Sequence, residues 1–174
     1  MSAWTSLVQP EYHDAWDRFE RQFRFKPSCP ADGPGILEPV PSVTFDLNSA
    51  VPPVKSDDPY YSVVDLHVKA YATFQRVTPI GKSLIVLDWK HDEYLFDPHA
   101  QFDAANWREW KTWVYPDGDY YIFLAEDFRY GTFGHPWAGT ICVWGQELID
   151  AFADDPPILF QRVVRRDGVA AQMV

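Results

Sequence analysis

Three kinds of side chain in this sequence could carry a reaction: imidazoles, carboxylates close to them, and a cation that could steady a negative charge. Asp127, Arg129 and His135 fall within one stretch, EDFRYGTFGHPW. Two strands joined at a glycine-rich corner would aim a carboxylate, a guanidinium and an imidazole at one spot. Such a set suits general acid–base work on a bound small molecule. Gly131 and Gly134 beside it would let a ligand or a second backbone come close. The competing reading is an internal network in which Asp127 pairs with Arg129 and His135 caps the turn ahead of Pro136. A second group gathers Asp88, His91, Asp92, Glu93, Asp97 and His99, all donor types that hold metals. Their spacing matches neither HExxH nor a calcium loop, and His91 and Asp92 fall in an expected hairpin turn. No metal ligand is assigned from them, and no cofactor is expected.

His67 lies beside the apolar stripe of an expected helix and would need a partner such as Asp46 to act. Asp46 and Thr44 project from the strand face opposite Val43 and Phe45, so Asp46 could orient a ligand if that face lines a pocket. Trp89, Trp107, Trp110, Trp113, Trp137 and Trp144 cluster near turns and strand ends, where indoles line pockets or interfaces. The expected substrate contacts are therefore Asp46, His67, Trp89, Trp137 and Trp144. Cys142 sits between Ile141 and Val143 and reads as a small buried hydrophobe. Cys29 lies in a proline-rich loop with no base to activate it. No GxSxG, P-loop or GxGxxG motif occurs, which leaves hydrolase, NTPase and dinucleotide readings without support.

These groups need elements to position them. Residues 10–23 read as a helix, with Tyr12, Trp16, Phe19 and Phe23 forming one apolar stripe and Pro10 suited to the first turn. Prolines and glycines break residues 26–41 into an irregular connection. Residues 42–47 alternate as a half-buried strand. Asp58-Pro59 reads as the start of a second helix that Pro79 stops. From Ser83 onward the pattern is β. Residues 84–87 form a continuous apolar run, as in a strand covered on both faces, and residues 94–96 return as a hairpin partner. Trp107, Trp110 and Trp113 are spaced for one or two helical turns. Residues 120–125, 130–134 and 139–144 are further strands, 146–152 a short helix, 158–164 an edge strand, and the chain from about 165 a loose tail. The sum is a single α+β domain over residues 1–174: a mainly antiparallel sheet of five or six strands with two or three helices packed on one face.

The chain has 174 residues, with 15 Lys and Arg against 25 Asp and Glu, a net charge of −10. Such acidity argues against nucleic acid and anionic membrane surfaces as partners. No apolar run approaches a membrane span, and the N-terminus lacks the basic-then-apolar pattern of a signal peptide. Two cysteines without CxxC spacing fit a reducing, cytoplasmic setting. The charge is uneven: residues 156–174 carry three Arg and one Asp, so residues 1–155 hold −12, much of it in turns near Asp88–Asp103 and Asp117–Asp127.

Three blocks are distinctive: GILEPVPSVTFDL (35–47), LDWKHDEYLFDP (87–98) and WVYPDGDYYIFLAEDFRYGTFGHPWAGTICVWG (113–145). Together they resemble a bacterial family known as domain of unknown function 2716, common in actinomycetes. The likeness runs from the Trp16 helix to about Phe152, and DFRYGTFGHPW is its most specific part. It implies a cytosolic bacterial protein of one domain and implies no catalytic residues. Two functional expectations stand. One is a small-molecule-binding protein, or a cofactor-independent enzyme, with an aromatic-walled pocket in which Asp127, Arg129 and His135 act. The other is an acidic protein-binding module such as an immunity-type inhibitor of a basic toxin.

Overall fold

The computed structural model describes residues 2–27, 33–49 and 58–171. Cys29, the Pro52-Pro53 loop and the Tyr12 side chain fall outside them. The chain order is β1 (Trp4–Ser6), α1 (Glu11–Phe23), β2 (Ser42–Asp46), α2 (Tyr61–Val77), β3 (Leu84–Asp88) and β4 (Tyr94–Phe96). It continues through a 3-10 turn (Trp107–Glu109), β5 (Tyr121–Ala125), β6 (Gly131–His135), β7 (Thr140–Trp144), α3 (Gln146–Asp154), β8 (Arg162–Arg166) and β9 (Val169–Ala170). Among the described residues the fold is α+β with three helices, within the two or three expected. The sheet they form has nine strands rather than five or six, in the order β1-β4-β3-β5-β6-β7-β2-β8-β9, and each pairing among them is antiparallel.

The added strands are short edge pieces. β1 has three residues and β9 two, too few to show an alternating pattern in the sequence. β8 is the edge strand expected at 158–164, displaced to 162–166, and β9 lies in the tail that was expected to be loose from about 165. They close a hairpin in which Arg165 pairs with Ala170 and Arg166 with Val169. β2 enters the sheet between β7 and β8, next to strands about 100 residues later in the chain.

The helices do not share one face. α1 packs on one side with Phe19, Phe23, Ile122, Leu124, Phe133 and Trp144. α2 and α3 cover the other with Leu66, Phe74, Leu84, Val86, Phe123 and Phe152. The reason lies in the central strands. β3 and β5 are apolar at consecutive positions, so both of their faces must leave water. Leu84 and Val86 point to α2 while Leu87 points to α1, and Phe123 and Leu124 divide in the same way.

Local signals explain most of the ends. Helix α1 stops at Arg24 in a left-handed conformation, φ 51°. Asp58 caps the turn before α2, accepting from the Tyr60 N–H at 2.8 Å, and the helix itself begins three residues later. Thr78 donates its N–H to the Phe74 carbonyl at the C-terminus, ahead of Pro79. Among the described residues, no helix is long and apolar enough to cross a membrane.

Candidate functional site

Asp127, Arg129 and His135 do not meet. Asp127 and Arg129 occupy the β5–β6 turn, whereas His135 ends β6, and the strand alone separates them by about 13 Å at ~3.3 Å per residue. Arg129 is held by Asp127 Oδ2 at 3.1 Å and Glu147 Oε1 at 2.8 Å, both on the surface. His135 is buried on the α1 face. Its Nδ1 accepts the Ala138 N–H at 3.3 Å, so the neutral ring carries its proton on Nε2. That Nε2 is enclosed and has no partner among the described residues. Burial, and then the charge of Arg165, pulls its pKa down to about 4. The glycines that were to admit a ligand are filled by the chain itself. A Cβ on Gly131 would lie 2.4 Å from the Phe123 carbonyl, and one on Gly134 would lie 2.9 Å from Pro116.

The other expected contacts also divide. His67 faces the α2 core, on the other side of the sheet from Asp46. Its Nε2 accepts the N–H groups of Val114 and Tyr115 at 3.2 and 3.4 Å, and its ring stacks on Trp110 at 4.9 Å. Burial lowers its pKa to about 4, so it serves as a neutral acceptor that ties the 110–115 segment to α2. Burial works against the Asp46 charge, but Ser49, the Asn48 N–H and Arg162 outweigh it and hold that carboxyl below its ordinary value. Trp144 is core, donating its indole N–H to the Phe128 carbonyl at 3.2 Å and packing on Phe23 at 5.0 Å. Trp137 does meet His135, and Trp89 joins it through Tyr120 and Trp137. Trp137 lies 6.4 Å from Trp89 and 6.3 Å from the imidazole, and Tyr120 sits within 5.5 Å of each of the three rings.

A different constellation forms at this same end of the sheet, on the α2 face. Asp88 ends β3 and pairs in register with Tyr121, the first residue of β5. The Pro116–Gly118 turn before β5 therefore brings Asp119 over the β3 end, with Gly118 at φ +87° closing the bend. His91 follows three residues after Asp88 and folds back. Its Nδ1 lies 2.8 Å from Asp88 Oδ1 and 3.5 Å from Asp119 Oδ2. Thr112 donates its hydroxyl to Asp88 Oδ2 at 3.4 Å. One donor atom from each of Asp88, His91 and Asp119 lies within 4.8 Å of the others, a spacing at which three ligands could meet one metal ion.

The constellation opens on a cleft of about 240 Å³ lined by Asp88, His91, Asp92, Tyr94, Lys111 and Tyr121. A second hollow of about 330 Å³ shares His91 and Asp92 and adds Ser6, Leu7 and Glu93. Burial, reinforced by Asp119, raises the Asp88 carboxyl to about 6 against the pull of His91. The bond to Asp88, then its charge, raises His91. Burial followed by Asp88, Asp119 and Asp117 pushes the Tyr121 phenol up to about 12.

Sequence reading grouped Asp88 and His91 as metal-type donors without assigning them a site, and did not include Asp119, Tyr121 or Lys111. Their partner strands are about 30 residues apart, and only the β3–β5 register joins them. Three members of the same early group point elsewhere. Glu93 accepts the Trp16 indole N–H at 2.7 Å, His99 donates to the Thr78 carbonyl at 2.8 Å, and Asp97 accepts the His99 N–H at 2.9 Å.

Fold and site together define an antiparallel α+β domain that presents a carboxylate–imidazole cleft at one end of its sheet. The chain belongs to the family described as protein of unknown function, DUF2716, which it matches over residues 6–149. It is similar to the uncharacterized protein YxiI of Bacillus subtilis (strain 168), 35% identical over 162 residues, covering 92% of this chain and 99% of that protein. No solved structure matches.

Proposed function

We propose that the protein binds a small molecule in the cleft between the β3–β4 hairpin and β5, and that His91 with Asp88 moves a proton on it. The observation that carries this reading is the Asp88–His91–Asp119 constellation opening directly on a concave surface. A carboxylate that accepts from an imidazole orients the ring and steadies its charged form, the arrangement of a general acid–base pair. Tyr94 and Tyr121 supply apolar walls, and Lys111 a cation, so the site needs no resident cofactor for proton transfer. The acid–base role thus passes from His135, Asp127 and Arg129 to His91 and Asp88. The reading keeps a cytoplasmic setting and excludes nucleic acid as partner, in line with the net −10.

A small-molecule library screened by thermal shift and by amide-shift mapping tests it. Hits should perturb residues 88–94 and 119–121, and H91Q should bind them without turnover. Hits confined to other surfaces would overturn the reading.

A second reading, an immunity-type inhibitor of a basic toxin, draws on the same charge and on exposed aromatics: Trp107 at 57% and Tyr60 at 63% exposure. Trp110 and Trp144, expected near an accessible end, are core instead, which leaves that surface fewer anchors. Inhibition of a basic nuclease encoded beside the gene, lost on Trp107→Ala, would favour it over the cleft.

A further inference from the structure

We propose that the group the cleft accepts is an organic cation, an ammonium or guanidinium carried by a small molecule. The inference rests on the cleft reading above and deepens it by naming the ligand's chemistry.

The first observation is charge. Asp88 and Asp92 line the cleft, Glu93 lines the adjoining hollow, and Asp119 stands within 4.8 Å of the Asp88–His91 pair. Among the described residues that line it, Lys111 is the one permanently charged cation. The two phenols border this charge: Tyr94 donates its hydroxyl to Asp92 Oδ2 at 3.4 Å, and Tyr121 stands opposite Asp88 across the β3–β5 pair. Three carboxylates, Asp88, Asp92 and Asp119, thus stand beside two aromatic rings at one opening. An anionic ligand would add like charge to a half-buried site, whereas a cation offsets it.

The second observation is shape and surface. Tyr94 and Tyr121 sit on neighbouring positions either side of β3, Tyr94 opposite Val86 and Tyr121 opposite Asp88. Aromatic faces beside carboxylates are the surroundings in which organic cations bind best, because ring quadrupole and charge attract together. The same end of the molecule already uses this chemistry on itself. Lys90 Nζ lies 4.1 Å over the Trp89 ring, on the residue between Trp89 and His91.

The experiment is amide-shift mapping and calorimetry on the full chain with agmatine and putrescine. Parallel arms use Mn²⁺, glutarate and a short arginine peptide. The expected result is binding of the amines with shifts at residues 88–94 and 119–121. Affinity should fall about tenfold in D119N and several-fold between about 0.05 and 0.5 M salt. Y121F, which keeps the ring face, should bind as the parent does, and Y121L should lose about tenfold. Both variants are checked by thermal unfolding, and retention of agmatine binding in Y121L or D119N overturns the proposal.

Binding of Mn²⁺ in the cleft without the amines overturns the organic cation and leaves the cleft standing as a metal site. Binding of glutarate alone reverses the assigned charge. Binding of the peptide without the free amines overturns the small-molecule source. Silence of the cleft towards every arm and towards the general library removes the cleft reading itself, a different failure from any of these.

Discussion

At the residue scale, two buried histidines do the same structural job in opposite layers. His67 and His135 each accept backbone N–H groups through an unprotonated ring nitrogen, which holds the imidazole neutral. Both sit at about 4 against an ordinary 6.5. The unfolded chain therefore takes up these protons first as pH falls. The stability linked to the neutral rings is complete above about 6.5 and is lost as the pH drops through about 4. Urea midpoints should fall between about pH 7 and pH 4.5, and the H135Q variant should show a shallower fall. An equal slope in H135Q would rule out its share. A second expectation concerns Gly131. Its missing side chain admits both the Phe123 carbonyl, 2.4 Å from a Cβ, and the Trp144 ring at 2.6 Å. Because backbone and a locked core indole cannot retreat, Gly131→Ala should cost at least about 2 kcal/mol, read from denaturant unfolding.

At the element scale, the β8–β9 hairpin is part of the framework. Arg165 on β8 reaches across β2 to Glu38, with Nε and Nη2 each 2.8 Å from Oε1. Thr44 donates to the same oxygen at 2.7 Å. The Glu38 side chain is almost wholly enclosed, and its Oε2 has no partner among the described residues. Removing the arginine would strand a buried carboxylate. Arg165→Met should therefore destabilise by about 3–5 kcal/mol, and E38Q added to R165M should recover much of the loss. Additive effects in the double variant would show that the pair is not coupled. The sequence reading placed residue 165 at the start of a loose tail. Residues 162–166, RVVRR, set two adjacent valines among three arginines without alternation, and nothing local tells that β2 waits beside them.

At the scale of the whole molecule, the net charge of −10 sets the solution behaviour. Carboxylates in excess repel one another in the compact state, and added salt screens them. The melting temperature should rise by a few degrees between about 0.02 and 0.5 M sodium chloride; a fall would mean that the surface pairs, such as Lys82 with Glu126 and Arg129 with Glu147, outweigh the repulsion.

What the sequence determined is local or periodic. The stripe of Trp16, Phe19 and Phe23 made α1, the apolar runs made β3 and β5, and Pro79 and the Pro116–Gly118 turn marked where elements end, because propensity and amphipathic pattern act over a few residues. The turns also announced an acidic, tryptophan-rich sheet end: Asp88 and Trp89 do lie at the end of β3, whereas Trp110 and Trp144 are core. The tertiary structure alone decided which of those residues meet. Strand register put Tyr121 opposite Asp88 and brought Asp119 to His91, while the length of β6 kept His135 from Arg129. It also decided that helices cover both faces and that short edge strands complete the sheet. Such pairings depend on long-range burial of apolar surface, and no window of a few residues contains that.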